Sequence, residues 1–542
     1  MTSPTARPEV RTSWVPMIGL FLAQILMSYN VSALPVSLGG MVEDFGVPPT
    51  DVSTAIVTYG LVVAALVMVG AKIGQRIGWI IVFRVVVALF TVSAVTMILS
   101  PSIGWVIFAQ ALAGGSAAII VPSLVALIAE NYRGTQQAAA IGSLGSARAL
   151  AGVAAFLIGG TLATLVGWRS VFVVVLVLAV AVFILSFWLR SDRGSKAITI
   201  DVVAAILIGA GIVMLTVGVN NLNSWGVLQA RSDAPFDLAG ISPAPVLIVL
   251  GIVLVQLFFL WSRRRTKAGR VPLVSLSVFG SSRERAAVYA MFIVVFMEAA
   301  LNFTVPLYIQ IVQGRTPFDT SLAMLPFNLT VFVTATLVVR FYRRFPPRTI
   351  GMFSFALTTI ALVWLSFVVT NNWETVPTIL GLIVFGIGQG ALVTLVFNVL
   401  VTAAPKELAG DVGSVRGTTQ NLASAVGTAV AGALLVGILT ASVAGALAGN
   451  VDLPPSLVSQ VDLDRTNFVS NDRLQEVLSA TDATPAQVDT AVSLNESARL
   501  RALRTGLLIL AGISVLAVVP ASRLPRYRPQ EIPESVAVGE RP

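Results

Sequence analysis

Two charged side chains lie near the middle of long apolar segments, Arg148 in the fifth such segment and Glu298 in the ninth. An ionised side chain at the centre of a bilayer costs about 2.5–3.5 kcal/mol on insertion scales, so a residue of this kind is a functional candidate. Glu298 and Asn302 are four residues apart and share one face of a helix. We expect this carboxyl either to bind and release a proton or to be held structurally by Asn302 or Arg148.

Arg148 belongs to a stripe of small residues formed by Gly145, Gly152 and Gly159. Small side chains at this spacing let two helices approach closely, so the stripe itself predicts packing. The guanidinium has two alternatives. It could neutralise Glu298, or it could hold an anionic group such as a carboxylate, a phosphate or an anionic lipid headgroup.

Several kinds of chemistry are excluded by residues and motifs that the chain lacks. It contains no His and no Cys, which excludes disulfides, thiolate chemistry and histidine metal sites. No G-x-x-x-x-G-K-[ST] motif occurs, so an ATP-driven pump is not expected, and no metal-ligand cluster or nucleophile–histidine pair is found. Gly386, Gly388 and Gly390 lie inside an apolar segment with no preceding strand, which favours helix packing over nucleotide binding. We therefore predict neither an enzyme nor a bound cofactor.

The elements that must position these residues are membrane helices. Of 542 residues, 56% are hydrophobic and only 11% are charged, whereas soluble domains carry about 25% charged residues. Apolar stretches of about 20 residues, long enough to cross a bilayer, recur along the chain. The sequence predicts an all-α polytopic membrane protein with fourteen transmembrane helices, at about 14–38, 53–71, 80–100, 104–128, 138–160, 170–189, 199–219, 245–262, 286–312, 320–341, 349–369, 377–403, 411–440 and 502–522.

The distribution of positive charge predicts the orientation. If the N-terminus is cytoplasmic, most of the 35 Lys and Arg residues fall in inner segments, and the short outer loops hold only Arg169, Arg231 and Arg315. This is the positive-inside bias, and it places both termini in the cytoplasm. The net charge of +9 is then explained by the orientation of the chain in the membrane. We therefore expect the lipid bilayer, and no nucleic acid, as a partner.

The chain divides into two similar halves around an insert. Ala33-Leu34-Pro35 ends the first span and Val305-Pro306-Leu307 ends the ninth, and a basic turn follows each after one further span. Weak internal symmetry of this kind is typical of transporters. We predict a cytoplasmic tail at 1–13, a six-helix bundle at 14–189, a two-helix insert at 199–262, a second six-helix bundle at 286–522 with an outer loop at 441–499, and a cytoplasmic tail at 523–542.

Motifs in a consistent order resemble the major facilitator superfamily and, within it, the fourteen-span drug:proton antiporter family. The segment 71–78, AKIGQRIG, is similar to the family's G-x-L-x-D-R-x-G loop motif. Gln110 through Pro122 is similar to the span-four motif R-x-x-Q-G-x-G-A-A-x-x-x-P, and Gly167-Trp168-Arg169 to the start of span six. Asp201 opens span seven as the family's aspartate does. The resemblance covers nearly the whole chain and implies two six-helix bundles with two extra central helices.

The chain departs from the family pattern at the residues that couple transport to protons. Gln75 stands at the aspartate of the loop motif, and Gln110 stands at the arginine of span four. The antiporter motif of span five survives without its proline, as Ala151, Ala155-Phe156 and Gly159-Gly160. Glu298 is the candidate protonation site, because it is a carboxyl near mid-span and the resemblance implies that span nine lies beside the central cavity.

The resemblance also implies a gate and a cavity. Span thirteen packs against span two in the family, with the loop-motif aspartate at its positive helix end. Asp411 lies at that end here, and we expect it to pair with Lys72 or Arg76, either as a gate latch or as an exposed ion pair of little consequence. The other loop and span-thirteen candidates are Gly78, Arg416 and Gln420. Polar residues that line a cavity or bond neighbouring helices are Gln24, Asn30, Gln110, Gln389 and Asn398.

These observations indicate several functions. The first is a secondary transporter that exports amphipathic or lipophilic compounds by alternating access, coupled to protons, in a bacterial inner membrane. A lipid or lipid-conjugate transporter of the same fold is the second, and a nutrient importer the third. A membrane scaffold or sensor without transport is the fourth, although such a protein gains nothing from a buried charge. The sequence indicates neither the substrate nor the oligomeric state.

Overall fold

A computed structural model describes residues 13–132, 134–189, 194–195, 198–231, 234–236, 240–275, 282–341, 344–402, 409–448, 475–476, 479 and 484–526. Within these ranges the regular structure is helical. The predicted tails at 1–13 and 523–542, and the outer loop at 441–499, therefore fall largely outside the described residues.

Fourteen long helices follow one another along the described chain, and each reverses the direction of its predecessor. They are α1 (Val15–Val36), α2 (Pro49–Ile77), α3 (Trp79–Ile98), α4 (Ile103–Asn131), α5 (Gly134–Ala154, continued by a π-helical turn Ala155–Gly159 and by Gly160–Leu165), α6 (Arg169–Leu185), α7 (Val202–Asn220), α8 (Pro243–Lys267), α9 (Ser282–Leu307, continued by a π-helical turn Tyr308–Val312), α10 (Pro317–Phe341), α11 (Pro347–Val368), α12 (Val376–Thr402), α13 (Ala409–Ala448) and α14 (Pro485–Leu516). We call the face where α1 begins the N-terminal face and the opposite one the far face.

Thirteen of the described helices are long and apolar enough to cross a membrane. Span thirteen was predicted in α13, a helix of 40 residues and about 60 Å that packs against α9 and α2. Several side chains of α13 lie outside the described residues, to which the number of thirteen applies. The predicted all-α membrane architecture is confirmed.

The two six-helix groups repeat the same packing pattern. In the first, α2 packs on α4, α3 on α4 and on α6, and α1 on α5. In the second, the equivalent helices make the equivalent pairs: α10 with α12, α11 with α12 and with α14, and α9 with α13. The groups meet along two lines of contact, α2 against α13 and α5 against α10. We call these lines the α2–α13 seam and the α5–α10 seam.

Glycine residues let equivalent pairs of helices in the two groups pack closely together. A Cβ on Gly114 of α4 would lie 2.7 Å from the carbonyl oxygen of Tyr59 in α2, and one on Gly390 of α12 would lie 2.6 Å from that of Val331 in α10. Dispersion between closely packed backbones stabilises helices in a membrane, where water provides no hydrophobic drive. The glycines predicted to pack helices, Gly386, Gly388 and Gly390, each face backbone or side-chain atoms of a neighbouring helix.

The insert, α7 and α8, is a hairpin held to the rest of the molecule through α7. Asp201 caps α7 by accepting from the Ala204 amide at 3.1 Å, and it also accepts from the Trp261 indole and from Arg265 of α8. In turn, α7 packs on both α2 and α13. The insert therefore covers the α2–α13 seam.

The last helix begins earlier than the sequence analysis expected. Span fourteen was predicted from residue 502, but α14 starts at Pro485, so part of the expected loop 441–499 is helical. A capping box explains this start, because Thr484 accepts from the Gln487 amide and the Gln487 side chain accepts from the Thr484 amide. The other end of that loop also becomes helix, since α13 continues to Ala448.

Candidate functional site between the two helical bundles

An ion pair joins the two bundles in the middle of their helices. The Nη2 atom of Arg148 in α5 donates to Oε2 of Glu298 in α9 at 3.0 Å. The two side chains are 24% and 21% exposed, so the pair is largely, but not fully, enclosed by protein. Both residues lie near the midpoint of helices that cross the full thickness of the molecule. A change of charge on either residue therefore acts directly on the association of the bundles.

A second guanidinium lies close to this pair. Arg416 of α13 is near enough to Arg148 for their charges to repel each other. Glu298 is the carboxylate that pairs with Arg148.

Two of the amides predicted to line the cavity have buried polar atoms. Asn302, one turn beyond Glu298, has a buried Oδ1 atom without a hydrogen-bond partner among the described residues. Gln389 of α12 is 1% exposed, and within the described chain neither of its amide atoms meets a partner. An unsatisfied buried amide costs about 1–3 kcal/mol. The side chain of Asn398 lies outside the described residues.

The polar residues of the first bundle bond to each other. Asn30 in α1 donates to Oε1 of Gln110 in α4 at 3.0 Å, and the two side chains are 2% and 1% exposed. Gln24 donates to Ser28 of its own helix at 2.9 Å. The amides of Asn30 and Gln110 thus join two helices by a hydrogen bond, and the structure does not bring these residues to the Arg148–Glu298 pair. Of the two alternatives predicted for the polar residues, lining a cavity or bonding a neighbouring helix, these two adopt the second.

A polar contact joins α2 and α13 at the N-terminal face. Lys72 Nζ lies 3.5 Å from Asp411 Oδ1, with side chains 10% and 15% exposed. The other oxygen of Asp411 accepts from the Ser275 amide at 2.8 Å, which attaches the segment after α8 to the same point. Arg76 is exposed in the last turn of α2, and Gly78 ends that helix with φ of 111°. The structure thus pairs Asp411 with Lys72, while half-buried Gln420 follows in α13.

The far face is closed by a polar contact between the end of α9 and the end of α1. Gln310, in the π-helical turn after α9, donates to the carbonyl oxygen of Pro35 at 3.1 Å and accepts from the Gly39 amide at 2.7 Å. The symmetry-related Pro35 and Pro306 segments therefore meet each other. The similarity of the two segments was visible in the sequence. The role of Gln310 was not, because it depends on a π-helical turn that no local sequence pattern indicates.

A polar network extends this closure to α14. The Tyr308 hydroxyl donates to Asn371 Oδ1 at 2.5 Å, and the Asn371 amide in turn donates to Glu496. Gln313 donates to the carbonyl oxygen of Asn371 at 2.7 Å. These residues come from the end of α9, the α11–α12 loop and the early turns of α14. The sequence analysis missed them because it placed Glu496 in a loop.

Comparisons with known proteins agree with this architecture. The family described as Major Facilitator Superfamily matches residues 20–428. A probable actinorhodin transporter of Streptomyces coelicolor is 26% identical over 84% of this chain and 79% of its own length. The tetracenomycin C resistance and export protein of Streptomyces glaucescens is 24% identical over 78% and 76%. The multidrug resistance protein Stp of Mycobacterium tuberculosis is 24% identical over 80% and 78%.

Solved structures share the fold at low sequence identity. The peptide transporter POT in complex with sulfate covers 97% of this chain with a TM-score of 0.57 at 15% identity, and 98% of that transporter is matched. An inward-facing, occupied bacterial homologue of the lysosomal transporter Spinster covers 92% of this chain and 96% of its own, with a TM-score of 0.57 and 14% identity. The family match over most of the sequence agrees with the two equivalent bundles of membrane-crossing helices. The protein is a member of the Major Facilitator Superfamily.

Proposed function

We propose that this protein exports amphipathic or lipophilic organic compounds by alternating access of a site between its two bundles. The observation that carries the proposal is the Arg148–Glu298 ion pair, which is the polar bridge between the bundles at mid-height. Charges are rarely kept at that depth unless they contact a solute, an ion or each other during a cycle. The names of the relatives, which describe export and multidrug resistance, support the direction and the substrate class.

The N-terminal face is the cytoplasmic face in this proposal, and the membrane is the bacterial inner membrane. The positive-inside distribution of Lys and Arg supports this orientation, with both termini inside. The far face, closed by Gln310 on α1, is then external.

Glu298 is the protonation site in this cycle. A proton on its carboxylate removes the ionic part of the contact with Arg148 and weakens the attachment of α9 to α5. A cationic compound that needs the ionised carboxylate competes with that proton, and competition for one site produces exchange of compound against protons. Export driven by an inward proton gradient requires this competition, because each proton that binds must displace the compound.

The test is flux in proteoliposomes under an imposed pH gradient. Ethidium flux by the wild-type protein should depend on the gradient, and Glu298→Gln should abolish that dependence while the protein stays folded. Glu130→Gln is the matched control, because Glu130 is an exposed carboxylate at the end of α4. Gradient-dependent flux that persists in Glu298→Gln would overturn the assignment of Glu298, and no wild-type flux of any probe would overturn transport itself.

Arg148 favours one second candidate, a transporter of lipids or lipid conjugates with an anionic headgroup. Its guanidinium lies at mid-height between the bundles, where a phosphate or carboxylate could replace Glu298 as its partner. An anion that binds Arg148 releases Glu298 to take up a proton, so its binding is favoured by protonation, opposite to that of a cation. A fluorescent anionic lysophospholipid in the same liposomes separates the two, since its flux should rise where ethidium flux falls as the pH on the N-terminal side is lowered.

A further inference from the structure

A cluster of buried polar side chains lies at the far face of the second bundle, away from the mid-height ion pair. It is formed by the end of α9, the α11–α12 loop and the early turns of α14. Trp373 of the loop is 3% exposed, and Asn495 and Arg499 of α14 are 8% and 1% exposed. The rings of Tyr308 and Trp373 are in edge contact, with centroids 6.2 Å apart. We call these four residues, together with Gln313 and Glu496, the far-face cluster.

Part of the far-face cluster is satisfied by hydrogen bonds through the loop residue Asn371. The Tyr308 hydroxyl and the Gln313 amide nitrogen both donate to Asn371, and the Asn371 amide donates to Glu496. These bonds hold α9, the loop and α14 together. They also give the Glu496 carboxylate a donor within the cluster.

Three buried polar atoms of the far-face cluster have no hydrogen-bond partner among the described residues. Two of them are donors, the Trp373 indole nitrogen and the Asn495 amide nitrogen, and the third is an acceptor, the Gln313 amide oxygen. Buried polar groups in folded proteins are nearly always hydrogen-bonded, and unpaired ones often mark the place of a water or an ion. The two donors therefore indicate a site that an acceptor from solution completes.

The charges around the far-face cluster favour an anion as that acceptor. Arg499 and Arg504 bring guanidiniums close to the Tyr308 hydroxyl, and Glu496 brings a carboxylate. The two guanidiniums offset the repulsion that Glu496 exerts on a second anion. Arg499 also follows Asn495 by four residues, so both side chains lie on one face of α14. An indole N–H, an amide N–H and a guanidinium together match the oxygens of a carboxylate or a phosphate.

We propose that the far-face cluster binds a small oxyanion, a carboxylate or inorganic phosphate, from the solution at the far face. A free ion fits the site better than a lipid headgroup, because Trp373 and Asn495 are almost completely enclosed by protein. The cluster includes the end of α9, where Gln310 closes the far face on α1, so a bound anion stabilises the closed arrangement. This site is separate from the Arg148–Glu298 pair, and the inference does not depend on the proposed transport function.

The first experiment asks whether the folded protein binds an oxyanion at all. Sodium acetate and sodium phosphate are each added to the purified full chain in a neutral detergent, at an ionic strength held constant with sodium chloride. We expect the melting temperature to rise with the concentration of at least one of them, because a ligand that binds only the folded state stabilises it. If neither anion raises the melting temperature above the chloride reference, the proposal is wrong.

The second experiment places the anion at the indole nitrogen. Trp373→Phe removes the N–H but keeps a ring against Tyr308, and we expect the affinity for the anion to fall about tenfold. The readout is the rise in melting temperature with anion concentration, which is independent of any change in the starting value. Trp364→Phe is the matched control, because that indole donates to the carbonyl oxygen of Pro377 at the exposed side of α11. Equal affinities in the two variants would contradict the assignment.

The third experiment adds a negative charge to the site. Asn495→Asp is nearly isosteric, and its carboxylate should repel the anion and abolish the rise in melting temperature. Ser497→Asp adds the same charge to an exposed position of α14 and should keep the wild-type response. A wild-type response in Asn495→Asp would show that the anion binds elsewhere and would overturn the far-face site.

Discussion

The two seams between the bundles are related by the internal symmetry of the chain, yet they differ in how they are built. The α2–α13 seam is in contact along its length, has the Lys72–Asp411 pair at its N-terminal end and lies under the insert. The described contacts of the α5–α10 seam are tight in its far half. Two extra helices pack on the α2–α13 seam, and we therefore expect this covered seam to act as a hinge.

Bulk in the far half of the α5–α10 seam should give the largest effect. Gly160→Leu places a branched side chain where even a Cβ overlaps Ser321, so the far face cannot close as it does here. We expect ethidium flux to fall at least about tenfold. Gly512→Leu is the control of equal volume. Gly160→Ala should be milder, and adding Ser321→Gly should restore flux; failure of that rescue would mean that the overlap with Ser321 does not limit closure.

Loss of the ion pair in the α2–α13 seam should have an intermediate effect. Asp411→Asn removes the charge near Lys72 but keeps an oxygen for the Ser275 amide. A partly exposed pair contributes up to about 1 kcal/mol, so we expect a change in flux of several-fold at most. Arg76→Gln, in the exposed last turn of α2, is the matched control for charge. A complete loss of transport in Asp411→Asn would show that this seam opens during the cycle instead of acting as a hinge.

The smallest effect is expected where the insert touches the hinge. Asn220→Leu removes a single hydrogen bond from α7 to Thr54 in α2. Such a bond contributes about 0.5–1.5 kcal/mol to stability, so the melting temperature should drop slightly while ethidium flux stays at the wild-type rate. Flux that changes more than in Asp411→Asn would reverse the order and indicate that the insert controls transport.

Much of the fold could be predicted from the lengths of the apolar segments and from the positions of the charged residues along the chain. The pairing of Arg148 with Glu298 was one of the alternatives that the sequence left open, and the structure shows it because both residues lie at mid-height on helices that face each other. The early start of α14 was readable in principle, because Thr484, Pro485 and Gln487 form a capping box. Hydropathy alone missed it, since the first turns of α14 lie outside any apolar stretch.

Other features depend on contacts between distant segments and could not be derived from local patterns. Gln310 binds backbone atoms of α1 that are some 275 positions away in the chain. Asn30 and Gln110 looked like cavity residues because their helices border the cavity in the family, but the rotation of each helix decides where a side chain points. The proton-coupling role of Glu298 stays a prediction, since geometry shows its partner and not its titration.

Covalent locking of each seam in turn tests most directly whether one is a hinge and the other a gate. The chain has no native Cys, so the pair Val67→Cys with Gly417→Cys can bridge α2 to α13, and Gly152→Cys with Asn328→Cys can bridge α5 to α10. After oxidation, we predict that the α2–α13 disulfide leaves ethidium flux in proteoliposomes near its reduced value, while the α5–α10 disulfide stops it reversibly. Flux stopped by the first disulfide, or surviving the second, would contradict this account.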